Sequence, residues 1–225
     1  MAEAYLVLRL CTFPDIKVFA TRRLPDGFNK LIIGMESCKS LGNTIDGKLN
    51  IFEGIEPNHI SIESTGKNQW IVKENQGNIY ECNIEPQFIL ALGNYFLIGE
   101  DNYIMGTFAD ECRRVLYTLD DGKSASKLYS INDKQAFSIG VEDTSIILEK
   151  TYLTKSSTLQ ITYNTVSASP PALLIQRDKT FTKEYKEAVW VLTPSIVLNF
   201  KENTRRLFRI GKIVVAVDYL YSKAS

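Results

Sequence analysis

The sequence predicts an all-β fold made of two consecutive β-sandwich domains. Three observations carry this. Short apolar runs of about five residues recur roughly every 8–12 residues along nearly the whole chain. Within them apolar and polar side chains alternate with period 2, as in His59–Glu63 (HISIE), where Ile60 and Ile62 stand between His59, Ser61 and Glu63. Between the runs lie residues that favour turns, such as Pro14-Asp15 and Pro25-Asp26-Gly27.

Taken in order, strands are predicted over Glu3–Cys11, Lys17–Leu24, Lys30–Met35, Lys48–Phe52, His59–Glu63, Gln69–Lys73, Asn78–Cys82, Phe88–Leu92 and Tyr95–Gly99. A second series follows over Arg114–Leu119, Ser126–Ile131, Ala136–Val141, Ser145–Leu148 and Thr158–Tyr163. It continues through Ala172–Gln176, Val189–Leu192, Ile196–Phe200, Leu207–Ile210 and Ile213–Tyr219. Asp120-Asp121-Gly122, Asn132-Asp133 and Ser167–Pro171 mark turns or loops. Thr107–Arg114 (TFADECRR) has the length of two helical turns and lies between the two series, while Lys179–Ala188 has no clean apolar stripe. The expected division is a first sandwich over 1–106, a junction over 107–113 and a second sandwich over 114–225.

Composition bounds the function. The 225 residues are 44% hydrophobic and 23% charged, the balance of a globular chain with a core to bury. No apolar window approaches the ~18 residues of a membrane-spanning helix, and the start of the chain has no signal-peptide pattern. The 26 basic and 26 acidic residues cancel, which argues against nucleic acid as the main partner. The cancellation hides a split: 9 Lys+Arg against 14 Asp+Glu in residues 1–110, and 17 against 12 in 111–225. Two surfaces of opposite sign either attract each other, meet different partners, or reflect ordinary variation. Cys11, Cys38, Cys82 and Cys112 have no C-x-x-C spacing and read as free thiols of a reducing, cytoplasmic compartment. No metal or cofactor is implied.

A string of motifs in the first half stands in a familiar order. Leu31-Ile32-Ile33-Gly34-Met35 is followed by Glu56-Pro57-Asn58-His59, Gln69-Trp70-Ile71-Val72, Asn75-Gln76-Gly77-Asn78 and Leu90–Gly99 (LALGNYFLIG). This order resembles the forkhead-associated (FHA) domain, a phosphothreonine-binding β-sandwich. That family's pattern is a strand ending Ile-Gly-Arg, then Ser-x-x-His, an aromatic-bearing strand, Asn-Gly-Thr and a closing Gly-bearing strand. The second half is similar to a weaker copy. Its matches are Phe137–Val141 (FSIGV), Thr144–Leu148, Arg177-Asp178-Lys179-Thr180-Phe181 and Leu207–Val215 (LFRIGKIVV). The resemblance implies two FHA-like sandwiches in tandem, with Gly34, Gly140 and His59 in structural roles. In the family that histidine ties the binding loop to the sheet. Degenerate tandem pairs of this kind stand at the cytosolic N-terminus of type VII secretion ATPases.

The departures decide the expected function. In the family, the Arg after Ile-Gly and the Ser of Ser-x-x-His hold the phosphate, because a dianion needs a cation and hydrogen-bond donors. Here those positions are Met35 and Glu56 in the first copy, and Val141 takes the Arg position in the second. Two like charges ~4 Å apart near a surface repel by about 4 kcal/mol, so a glutamate there opposes a phosphate. Trp70 reads as a core aromatic.

Catalytic motifs fail on inspection. Gly122-Lys123-Ser124 lacks the earlier glycine of a P-loop, Tyr117 standing in its place, and reads as a hairpin turn. His59 is the one histidine, no G-x-S-x-G elbow exists, and the pairs Glu100-Asp101, Asp120-Asp121 and Glu142-Asp143 sit at turns. No calcium loop is present. The strongest charge cluster is Arg205, Arg206, Arg209 and Lys212, either solvated sheet edge or a basic face for an acidic partner surface. Lys179, Lys183, Lys186 and Lys201 are candidates to lie beside it.

The sequence therefore predicts a non-catalytic, phosphate-independent protein–protein interaction or scaffold protein belonging to a larger assembly. The contact residues expected are Met35, Glu56, Asn58, Asn75 and Asn78 on the loops Met35–Gly47, Gly54–Asn58 and Glu74–Asn78, with Arg205, Arg206, Arg209 and Lys212. Two alternatives stand beside it. One is a phosphothreonine-peptide adaptor using Arg22, Arg23 or Lys39; the other is a β-barrel enzyme or small-molecule binder with a deep polar pocket.

Overall fold

The first strand shows how these sequences become sheets. In β1 (Glu3–Thr12, EAYLVLRLCT), Ala4, Leu6, Leu8 and Leu10 fall on one face, and all four are buried in a common core. Val7 and Cys11, on the other face, are buried too. A run so apolar on both sides reads as a central strand, and β1 is paired on both edges.

The computed structural model describes residues 3–25, 27–41, 51–66, 69–108, 114–120, 124–131, 137–149, 151–164, 172–178, 184–199 and 205–222. After β1 come β2 (Lys17–Pro25), β3 (Lys30–Ile33), helix α1 (Met35–Leu41), β4 (Ile60–Gly66), β5 (Gln69–Glu74) and β6 (Ile79–Asn83). Next are β7 (Gln87–Ala91), β8 (Tyr95–Ile98), β9 (Asn102–Phe108), β10 (Arg114–Asp120), β11 (Ser124–Ile131), β12 (Phe137–Gly140) and the two-residue β13 (Ile146–Ile147). The chain closes with β14 (Leu159–Asn164), β15 (Ala172–Arg177), a 3-10 turn at Tyr185–Glu187, β16 (Val189–Thr193), β17 (Ser195–Asn199), β18 (Arg205–Ile210) and β19 (Ile213–Ser222). The protein is all-β, with β12–β13 the one parallel pair among the described pairings.

Two compact units form. Unit 1 contains residues 1–82 and 192–225, and unit 2 contains residues 83–191. In unit 1 a run of five hydrogen-bonded strands, β6-β18-β19-β1-β2, accompanies a four-stranded sheet, β17-β5-β4-β3. Their inward residues share one core: Leu6, Leu8 and Leu10 of β1, Val215 and Val217 of β19, Ile60 and Ile62 of β4, Trp70 and Val72 of β5, and Ile196 and Leu198 of β17. In unit 2 the run β16-β8-β9-β10-β11 accompanies β13-β12-β14-β15-β7. Phe96, Ile98, Ile104, Leu116, Ile139, Leu159, Ile161, Leu173, Ile175 and Val189 fill its core. Trp70 lies in the unit 1 core, stacked on Phe28 with ring centroids 6.3 Å apart.

The units do not part at 107–113, as the sequence reading expected. The reason is long-range pairing. β19 lies antiparallel to β1 over its whole length, from Glu3 opposite Ser222 to Thr12 opposite Ile213. β18 pairs with β6 and β17 with β5. The C-terminal strands therefore complete the N-terminal unit, and unit 2 is inserted into unit 1 in chain order.

Local expectations change as well. Met35–Leu41, expected as loop, is helical; Ser37 Oγ accepts the Gly34 N–H at 2.8 Å and Cys38 is fully buried in the unit 1 core. Residues 42–47 of that expected loop lie outside the described residues. Ile51 and Phe52, expected as strand, form a turn, with Ile55 N–H donating to Phe52 O at 3.2 Å. In place of the two helical turns expected over 107–114, Thr107 and Phe108 end β9 and Arg114 begins β10, with Arg114 opposite Phe108. The turns expected at 121–122, 132–133 and 167–171 lie outside the described residues.

Candidate partner-binding loops

Three segments meet at one end of unit 1: Gly34-Met35 after β3, Gly54–His59 before β4, and Asn75–Asn78 between β5 and β6. His59, buried, fastens them. Its Nδ1 accepts the main-chain N–H of Glu56 at 3.0 Å. That acceptance leaves Nδ1 without a proton, so Nε2 carries the hydrogen and donates to Asn78 O at 2.9 Å. The main chain adds four bonds around the same residue. Asn75 N–H and Gly77 N–H both donate to His59 O, at 3.0 and 3.2 Å, Gln76 N–H donates to Asn58 O at 3.2 Å, and Met35 N–H donates to Glu56 O at 3.1 Å. Burial pushes the His59 pKa down, against the Asn78 carbonyl and the Glu56 carboxylate, which pull it up.

Two glycines make this closeness possible. A Cβ on Gly34 would fall 1.7 Å from Pro57 O, and one on Gly77 would fall 2.1–2.4 Å from the atoms of the His59 ring. Neither position has room for a methyl group. The sequence patterns Ile33-Gly34 and Gly77-Asn78 are thus steric requirements of the His59 knot.

The structure brings together five of the predicted contact residues. Glu56, Asn58, Asn75 and Asn78 are exposed around the knot, and Met35 is half-buried with its side chain against the core. Gln76, which sequence reasoning did not single out, belongs with them: its Oε1 accepts the Asn58 N–H at 2.9 Å. Its signal was its place within the Asn-Gln-Gly-Asn turn. Of the cations considered for phosphate, Lys39 pairs with Glu36 at 3.2 Å, while Arg22 and Arg23 lie exposed on β2, opposite Leu8 and Val7.

The C-terminal basic cluster does not form one cationic face. Arg205 and Asp218 stand opposite each other on β18 and β19, joined through Nε at 2.7 Å and Nη2 at 3.3 Å, and Arg9 pairs with the same carboxylate. Arg206 lies 3.7 Å from Glu81. Arg209 is buried, its Nε donating to Gly211 O at 2.8 Å and its guanidinium 4.6 Å from the Phe13 ring centroid. A group so enclosed is unavailable to a partner surface. Lys212 donates to Glu53 at 2.6 Å. This last pair has a structural meaning, because Glu53 leads into the 54–59 segment and the Gly211 backbone lies against it. A Cβ on Gly211 would fall 2.6 Å from Glu53 O. The β18–β19 hairpin therefore buttresses the candidate loops.

Unit 2 has a related loop end without a histidine. Thr158 N–H and Oγ1 both donate to Asp178 Oδ2 at 3.0 Å, and Asp178 N–H donates to Thr158 O at 3.1 Å. Gly140 sits where a Cβ would fall 3.3 Å from Ser157 O. Val141 is half-buried. Among the described residues no group of three or more His, Cys, Asp or Glu side chains is placed to hold a metal ion. Among them, too, no helix is long and apolar enough to cross a membrane. Cys11 and Cys38 are free and buried, and burial pushes the Cys38 thiol up to about 12.

No family model, curated protein or solved structure matches this chain.

Proposed function

We propose that this protein is a non-catalytic protein–protein interaction module, a scaffold or subunit of a larger assembly, that binds its partner through the His59-fastened loops without requiring phosphate. One observation carries the reading: Met35 and Glu56, which the FHA resemblance aligns with an arginine and a serine, lie side by side, the Met35 N–H donating to Glu56 O at 3.1 Å. The exposed Glu56 carboxylate repels a phosphate, and the half-buried Met35 thioether offers apolar contact in place of charge. Exposed Asn58, Asn75 and Asn78 supply donors and acceptors around it, the mixture of apolar centre and polar rim that protein interfaces use. In this reading the second unit is a further degenerate FHA-like sandwich, and the buried thiols belong to a reducing, cytoplasmic compartment.

The test is capture of partners from native lysate by the full chain, with and without phosphatase, against a chain carrying Asn58→Arg and Asn75→Arg. Partners that survive phosphatase and are lost from the double variant support the reading. Partners lost with phosphatase overturn it in favour of a phosphothreonine adaptor.

A further inference from the structure

The pairings in the two units repeat each other residue by residue. In unit 1, Ile33 stands opposite Ile60 and Ile60 opposite Glu74. In unit 2, Ile139 stands opposite Leu159 and Leu159 opposite Arg177. One residue further on, Asn75 N–H donates to His59 O in the first and Asp178 N–H to Thr158 O in the second. The neighbouring strand repeats too. Glu74 N–H donates to Pro194 O at 3.1 Å and Arg177 N–H to Pro86 O at 2.8 Å, while Ser195 stands opposite Lys73 and Gln87 opposite Gln176. The hairpins β18–β19 and β8–β9 both turn on a glycine of positive φ, Gly211 (φ 52°) and Gly99 (φ 65°).

These equivalences match β1–β9, strand for strand, with β10–β12 and β14–β19. A module closed on itself would pair β1 with β9 and β10 with β19. The structure has β1 on β19 and β10 on β9. Likewise β5 takes β17 and β15 takes β7, and β6 takes β18 and β16 takes β8. Every one of these pairings joins the first half of the chain to the second. The connection between β16 and β17 fits the same pattern, since Pro194 alone separates them. Two Cα steps reach at most about 7 Å, less than the roughly 10 Å between packed sheets, so the chain is poorly placed to cross from one sheet to the other of a single sandwich there.

We propose that the chain is a duplicated nine-strand module whose two copies have exchanged their last three strands, each copy being the other's binding partner. The surface recognised is the open edge of β1, β5 and β6, or of β10, β15 and β16. The ligand is a three-stranded β element supplying main-chain hydrogen bonds and alternating apolar side chains. The candidate loops of the first copy are then supported by the second, through Gly211 and Lys212 against Glu53.

The test uses the full chain with a protease site placed within residues 109–113 and the substitutions Gln69→Cys and Asn199→Cys. These two exposed positions are register partners on β5 and β17. The monomer is oxidised, cut, and run on a denaturing gel without reductant, where contacts between folded halves no longer matter. Exchange predicts one full-length band that splits in two on reduction, while the parent chain, treated alike, splits without it. Tyr5→Cys with Leu220→Cys, at the β1–β19 pairing, is the second variant and predicts the same result. Halves that part without reductant, in a variant with the parent's circular dichroism spectrum, overturn the proposal. So does a cross-link formed by Gln69→Cys with Ala91→Cys, the pair that an unexchanged module would bring together.

Discussion

The main-chain N–H of Glu56 donates to Nδ1 of His59 at 3.0 Å. A residue at a position that contacts phosphate in the FHA resemblance is thus held by the one histidine of the chain through its backbone, leaving its side chain free to vary. Loop geometry and loop chemistry are separable here. His59 and the two glycines fix the first, whereas Met35, Glu56, Asn58, Asn75 and Asn78 fix the second.

Replacing His59 removes the partners of Glu56 N–H and Asn78 O and leaves a cavity. His59→Ala should cost about 2–4 kcal/mol of unfolding free energy, the sum expected for orphaned buried polar groups and lost packing. Urea unfolding measures it. Asn58→Ala, on the exposed rim, should stay within about 0.5 kcal/mol of the parent.

The same histidine makes stability depend on pH. Its pKa is lowered in the folded protein from the ordinary 6.5. The unfolded chain then binds the proton more readily, so His59's contribution is complete above pH 6.5 and is lost as the pH falls below it. Unfolding midpoints measured from pH 7.5 to 5 should fall in the parent. In His59→Gln, which has no group titrating there, that component of the slope should vanish.

Gly34→Ala and Gly77→Ala should each destabilise the protein by about 1–3 kcal/mol or more, through overpacking. Gly34→Ala should be the worse of the two, because it meets the main chain at Pro57 O, while Gly77→Ala meets a ring that can shift. Thermal unfolding of the two variants side by side gives the order.

Glu63 on β4 is held between Lys30 and Lys73, each at 2.9 Å, with Ser61 Oγ donating at 3.1 Å. The hydrogen bonds from Lys30 and Lys73 lower its pKa from 4.5 to about 2. Its stabilising contribution is present above pH 4.5 and is lost as the pH falls through about 2. Carboxyl titration by NMR should show the low value in the parent and a rise toward the ordinary one in Lys30→Met and Lys73→Met.

Arg209 and Arg206 should differ sharply in what their removal costs, although both lie on β18. Arg209→Ala removes a buried, hydrogen-bonded group packed on Phe13 and should cost about 3 kcal/mol. Arg206→Ala breaks a half-exposed 3.7 Å pair with Glu81 and should cost about 0.5 kcal/mol or less. Denaturant midpoints of the two single variants check both.

Strand existence was legible because period-2 alternation is a local signal. Ile60 and Ile62 point inward for the reason their spacing announces. α1 was not legible, since MESCKSL is too short to show a stripe and, among its described side chains, the buried anchor is Cys38. β9 was hidden by its glycine and by the charged residues that follow it. The unit boundaries were illegible in principle, because nothing near Glu3 says that its partner is Ser222. Among the site residues, His59 and the loop asparagines could be found from motif order. The burial of Arg209 could not, because the ring its guanidinium lies over, Phe13, comes from a distant segment of the chain.

The antiparallel pairing of Glu3 with Ser222 also sets a clock on the ribosome. β1 is satisfied late, because its partner β19 is translated long after it. At about 5–20 residues per second, β1 waits on the order of ten seconds or longer with its apolar edge open. During that interval EAYLVLRLCT is a template for any passing strand, so nascent chains of this protein should be clients of holding chaperones until β19 has emerged.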